Sequence, residues 1–231
     1  MGYNYFDPTY ILVIIGVIFS LVASARVKST FSKYSKVRSL SGITGAEAAQ
    51  KILNRAGIYD VQIEYVQGNL TDHYDPKNKI LRLSDTVYGS NSISAIGVAA
   101  HECGHAIQHD QSYAPLGIRS ALVPVVNIAS TISWPLILIG LLVTGSQTLI
   151  YLGIILFSTA VLFQLITLPV EFNASRRAIQ VLGDSGILYR DELPLSKKVL
   201  RAAALTYVAA AAATILQLIR IILIFGGRRR D

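Results

Sequence analysis

The residues of this chain best suited to chemistry fall in "AAHECGHAIQH", Ala99 to His109, which holds three of the four histidines and the single cysteine of a 231-residue sequence. On an α-helix each residue turns about 100°, so His101 and His105 lie roughly 40° apart on one face and one turn, roughly 5 to 6 Å, apart along the axis. Two imidazoles so placed can hold one metal ion. Glu102 points about 100° away from His101, too far round to be an obvious third ligand but suited to take a proton from a water held by the ion. This is the HExxH arrangement of zinc-dependent peptide hydrolysis. His101 and His105 are therefore expected to bind Zn2+ and Glu102 to act as the catalytic base. Imidazoles and a carboxylate on an otherwise apolar helix are costly without such a partner.

The neighbouring residues take other roles. His109 lies eight residues, about 12 Å, beyond His101, so all three imidazoles cannot meet one tetrahedral ion with bonds near ~2 Å. It is expected to support a ligand from behind or to close the helix end. Cys103 points to the opposite face and reads as packing. His73, in "TDHYDP", reads as a loop histidine at the tip of a sheet, with substrate or the outside of the zinc site as its alternative contacts.

A catalytic zinc usually takes three protein ligands and a water, so one ligand must come from elsewhere. Glu171, in "PVEFNASRRA", is the candidate, opening a helix that Gly183 ends. Ser175 follows one turn later on the same face and can support a ligand. Glu192, beyond Gly183, is expected to be dispensable for zinc. Arg176 and Arg177 are candidates to steady an oxyanion or to face lipid heads.

These residues need a scaffold, and the composition describes it. The chain is 52% hydrophobic and 15% charged, with mean hydropathy +0.47, which points to a membrane protein. Four apolar runs, Tyr10 to Ala25, Ala121 to Thr144, Leu149 to Leu168 and Ala202 to Phe225, approach the ~20 residues that cross a bilayer. The first could be a signal peptide, but no Lys or Arg precedes it while Arg26, Lys28, Lys33, Lys36 and Arg38 follow, the pattern of an anchor with its amino terminus outside. Arg220 interrupts the last run, leaving a spanning helix, with Arg228, Arg229 and Arg230 outside, against a membrane-surface helix.

"GSQT" joins the middle two runs as an outer turn, so the chain returns to the side bearing His101 before Glu171. Between the first anchor and the hairpin, "TGAEAAQKILNRAG" reads as a helix with Thr44 and Glu47 as a capping box and Gly57 as its stop. "VQIEYV" and "KILRLS" read as an antiparallel strand pair, with Ile80 to Ser84 as an edge for an extended peptide. A further helix, bearing the histidines, begins near Ser92.

The expected architecture is a mainly α membrane protein with three to four transmembrane helices and a small α+β zincin-like cytoplasmic unit. Its parts are an N-terminal anchor (1–27), the HExxH region (28–120), a transmembrane hairpin (121–168), a cytoplasmic helix with the third ligand (169–201) and a C-terminal helix (202–231). The net charge of +7 clusters beside the apolar runs with no nucleic-acid-binding pattern, so the expected partners are membrane lipids and a peptide or membrane-protein substrate. The hairpin limbs hold no Asp, Glu, Lys, Arg or His, which argues against a transporter with a midplane ion site. The remaining rival is a non-enzymatic zinc-binding membrane scaffold.

"LTDHYDP", "AAHECGHAIQH", "YAPL" and "PVEFNASRRA" resemble the bacterial YugP-type membrane zinc metallopeptidases, a resemblance covering nearly the whole chain. More broadly, "HECGH", two membrane spans and "EFNASRRA" resemble the gluzincin membrane proteases. The resemblance implies that His101, His105 and Glu171 are zinc ligands and that Glu102 is the acid/base. It also exposes a departure: HtpX-like gluzincins carry an acid four residues after the ligand glutamate, where this chain has Ser175. The bracing acid is left open, with Asp110 and Asp184 as possible substitutes.

Overall fold

The computed structural model describes residues 7–225; Arg228, Arg229 and Arg230 lie outside them. The elements in chain order are α1 (Tyr10–Tyr34), α2 (Gly45–Arg55), β1 (Gln62–Val66), β2 (His73–Asp75), β3 (Ile80–Ser84), α3 (Ile93–Asp110), α4 (Ala114–Leu142), α5 (Gln147–Asp184) and α6 (Leu193–Phe225). The chain divides into two compact units. One comprises the chain up to Ala23, Ile118–Leu168 and the chain from Thr206; the other comprises Ser24–Gly117 and Pro169–Leu205.

The first unit is built from apolar helix segments. α1, α4, α5 and α6 are each long and apolar enough to cross a membrane, and the most apolar window of each is between 11% and 28% buried. Ile11, Val125, Ile155 and Leu223 are exposed. So much apolar surface facing outward is unfavourable in water and suits a lipid environment, and the protein is a mainly α membrane protein with a small α+β unit. Pro124 and Pro135 lie inside α4 without ending it. α6 runs unbroken for 33 residues, roughly 50 Å. The charge that interrupts its apolar run is matched: Arg220 Nη2 lies 3.3 Å from Asp7 Oδ2, and the guanidinium lies 4.1 Å from the Tyr10 ring centroid.

The second unit has a core of Ile52 and Leu53 from α2, Leu81 and Leu83 from β3, and Ile93 and Ile96 from α3, all fully buried and joined by Ala178 and Leu182 of α5. Fully burying one such side chain is worth about 1.5–3 kcal/mol, so this core fixes α3 against the sheet. The Thr44 hydroxyl accepts from Glu47 N while the Glu47 carboxylate accepts from Thr44 N, forming the expected capping box at the start of α2. Gly57, at φ +75°, follows its end.

The sheet differs from the sequence expectation. Its order is β1-β3-β2; β1 pairs with β3 in parallel and β2 with β3 antiparallel. β3 is therefore the central strand, not an edge. The "DPKNK" turn closes a β2–β3 hairpin, where the Asp75 carboxylate accepts from Lys77 N and Asn78 N, and β1 is left to join the other side of β3.

α5 also differs from expectation. It is one helix of 38 residues with Pro169 inside it, so Glu171 lies deep in a continuous helix and opens none. Proline at position 169 removes its own N–H, the one that would bond Leu165 four residues back, and its ring crowds that carbonyl, yet the helix continues through it. The stop falls later than Gly183, at Gly186, whose φ of +66° suits a residue without Cβ and whose N–H donates to the Gly183 carbonyl.

Candidate metal centre

α3 begins where the Ser92 hydroxyl accepts from Ala95 N at 3.2 Å, a capping bond typical of helix starts. Its small residues allow it to be buried nearly throughout. α3 approaches α5 closely at Gly104: a Cβ there would stand 2.6 Å from the Ala174 carbonyl oxygen. Only glycine permits this contact, and it brings His101, about one turn before Gly104, and His105, directly after it, against Glu171.

His101 Nε2 lies 3.2 Å and His105 Nε2 3.6 Å from Glu171 Oε2. The three candidate ligand atoms all lie within 4.8 Å of one another. Zinc bonds of 2.0–2.1 Å at tetrahedral angles separate ligand atoms by about 3.3–3.4 Å, so the donor set fits zinc in kind and the two His–Glu171 distances fit its spacing. Glu171 is 1% exposed.

Hydrogen bonds determine how the His105 ring is held. The Gln108 amide group is buried and its Nε2 donates to the Val170 carbonyl at 2.8 Å and to Asn173 Oδ1 at 3.0 Å. A carbonyl only accepts, so Gln108 Oε1 must face His105 Nδ1, 3.0 Å away, and Nδ1 must carry the proton. In the neutral ring this leaves the Nε2 lone pair aimed at the Glu171 carboxylate. Two facing lone pairs repel unless a cation, either a proton or a metal, lies between them. Burial works to lower the His105 pKa, but the Glu171 hydrogen bond, the charges of Glu102 and Glu171 and the Gln108 bond outweigh it and raise the pKa, evidence of a site that favours positive charge.

Ser175 Oγ lies 3.1 Å from His101 Nδ1. The hydroxyl thus occupies the bracing place, and neither Asp110 nor Asp184, both exposed, is found bonded to a histidine. Glu102 is 8% exposed and, among the described residues, its carboxylate makes no hydrogen bond to the protein.

The other sequence candidates sit apart from the three ligands. His109 Nδ1 meets the Tyr74 hydroxyl at 2.8 Å. Burial, then the charges of Asp60, Asp75 and Asp110, push the Tyr74 phenol up to about 12, so it is protonated at neutral pH. His73 is exposed on β2, with Nδ1 2.8 Å from the Thr71 carbonyl and Nε2 3.4 Å from Arg82 Nη1. The Cys103 thiol is fully buried and donates to the Ala49 carbonyl at 3.6 Å; burial, then the Glu102 charge, push its pKa well up.

Arg177 donates to Asn173 Oδ1 at 2.7 Å and to Gln111 Oε1 at 2.6 Å, so it buttresses the Gln108 network. Gln108 and Asn173 were missed in the sequence. Their one signal is spacing, three residues after His105 and two after Glu171.

The comparisons with known proteins agree with this chemistry. A family model described as "Putative neutral zinc metallopeptidase" matches residues 9–226, and the chain belongs to that family. It is similar to the "Putative membrane protease YugP" of Bacillus subtilis (strain 168), with 55% identity over 206 residues, covering 89% of this chain and 91% of that protein. No solved structure matches it.

Proposed function

We propose that this protein is a membrane-embedded zinc-dependent endopeptidase acting on peptides or membrane proteins, with its site on the cytoplasmic side. His101, His105 and Glu171 hold the ion and Glu102 is the base. Bound zinc supplies Lewis acidity, polarising the scissile carbonyl and making an attacking water more acidic. Glu102 takes the proton of that water on its carboxylate and returns it to the leaving amine nitrogen. Gln108 and Ser175 hold the two imidazole rings so that both Nε2 atoms converge on the Glu171 carboxylate.

The observation that carries the reading is Glu102, a carboxylate on the site helix, adjacent to His101 and engaged in no protein hydrogen bond among the described residues. A structural zinc site is closed by four protein ligands, whereas the cluster here has three with an uncommitted base beside them; this favours the enzyme over the scaffold. The cytoplasmic placement rests on Arg26, Lys28, Lys33, Lys36 and Arg38 following the first apolar run.

Glu102→Gln in purified protein tests the reading. The amide cannot accept the proton, so peptide hydrolysis should fall on the order of 100-fold or more while zinc content and fold are kept. Unchanged turnover at equal zinc content would remove Glu102 from the mechanism.

A further inference from the structure

α1 and α6 border a cleft lined by none of the zinc ligands. In the unit containing the end of α1 and the start of α6, a cleft of about 590 Å³ is lined by Arg26, Ser29, Thr30, Lys33 and Tyr34 from α1 and by Lys198, Arg201, Ala202 and Leu205 from α6. Each set follows helical spacing, so one face of each helix contributes. Four cations line the cleft and no acid does. Neither helix contains an Asp or Glu, and among the described residues none of the four cations is paired with a carboxylate. Like charges gathered this closely repel one another, and an anion between them removes that cost.

The chemistry and position of the lining identify the anion. Guanidinium and ammonium groups interleaved with the Thr30 and Tyr34 hydroxyls offer many donors for phosphate oxygens. Arg26 directly follows the apolar run Tyr10 to Ala25, and Lys33 lies about two turns, roughly 10 Å, further out. On α6, Lys198 and Arg201 precede the apolar run, while Ala202 and Leu205 lie within it. The cleft is therefore cationic on its aqueous side and apolar on its membrane side, the polarity of a phospholipid at the interface.

We propose that this cleft binds the phosphate-bearing head of an anionic phospholipid, with Arg26, Lys33, Lys198 and Arg201 as its cationic contacts. The full-length protein, purified in neutral detergent, would be titrated with phosphatidylglycerol, with phosphatidylcholine and with inorganic phosphate, and bound lipid counted by native mass spectrometry. Phosphatidylglycerol should bind with a defined stoichiometry and phosphatidylcholine at least about 10-fold more weakly.

The double variant Lys33→Ala/Arg201→Ala should weaken phosphatidylglycerol binding by on the order of 10-fold. Lys28→Ala/Lys197→Ala removes the same charge from exposed positions of the same helices outside the cleft and should leave binding unchanged. Equal losses in both double variants would reduce the effect to surface charge and overturn the proposal. Inorganic phosphate displacing the lipid at equal concentration would also overturn it, making the ligand a free anion. The zinc content of each variant confirms that the fold is kept.

Discussion

Gly104→Ala is a small change that should disable the metal centre without touching a ligand. The added Cβ would stand 2.6 Å from the Ala174 carbonyl oxygen and 3.1 Å from Ala174 C and Cα, all backbone atoms that no rotamer change can move. Carbon–oxygen contacts of this kind normally fall at roughly 3.3–3.6 Å, so α3 and α5 must separate by about 0.7–1.0 Å. His101 and His105 belong to one helix and Glu171 to the other, and their present separations of 3.2 and 3.6 Å already match the ~3.3–3.4 Å of a tetrahedral zinc. The separation would pull Glu171 out of bonding range. Zinc affinity should fall by at least the ~10–100-fold seen when groups supporting a metal site are disturbed. The overpacking cost of about 1–3 kcal/mol should be offset in part by the better helix propensity of alanine, about 1 kcal/mol.

Competition against a chromophoric zinc chelator measures the affinity, and the Tm of the zinc-free protein measures the stability. Gly117→Ala on α4 is the control, because nothing lies within 4 Å of its new Cβ. It should leave zinc binding intact and stabilise by about 0.5–1 kcal/mol. Gly104→Ala binding zinc within about two-fold of wild type would refute the reasoning that backbone contact at this glycine sets the site.

Gln108→Leu leaves His105 Nδ1 without its acceptor and the Val170 carbonyl without that donor; zinc affinity should fall about 10–100-fold and stability by about 1–3 kcal/mol. Unchanged affinity in the chelator assay would mean that the His105 ring is held by other means. For topology, an impermeant thiol reagent added to intact cells should modify Thr144→Cys, in the α4–α5 connection, and leave Lys36→Cys unmodified; native Cys103 is fully buried and adds little background. The opposite labelling pattern would place the zinc site outside.

The features legible in the sequence were those set locally or by one helix face: the capping box at Thr44 and Glu47, the helix start near Ser92, the apolar runs and the shared face of His101 and His105. Features that depend on how α3 and α5 meet were legible only in part. Glu171 and Ser175 were singled out as partners of the histidines, and the crossing brings the Ser175 hydroxyl to His101. Gln108 and Asn173 carried no sign of their partners until Val170 and His105 were placed around them.

β2, at three residues, is too short to show an alternating pattern, and without it the other two strands read as a hairpin. The helix expected to open at Glu171 is instead part of α5, which runs on through Pro169. Glu192 was expected to be dispensable for zinc; it is 5% exposed, and its carboxylate accepts from Leu40 N and Tyr189 N, both at 2.8 Å. The latter bond spans three residues, as in a capping box, a signal present just ahead of α6. Glu192 therefore makes a poor neutral control, and exposed Asp191 is the better one.

The central claim is that the carboxylate of Glu171 completes a zinc site begun by two helical imidazoles, and zinc counted per chain after dialysis tests it most directly. Wild type and Asp191→Ala should retain one zinc. Glu171→Ala should lose it, since two histidines leave the ion half of its tetrahedral shell. Glu171→Gln, which keeps the side chain's volume but offers a neutral ligand, should bind far more weakly than wild type, with circular dichroism confirming that both variants stay folded. One zinc per chain at wild-type affinity in folded Glu171→Ala would contradict the account.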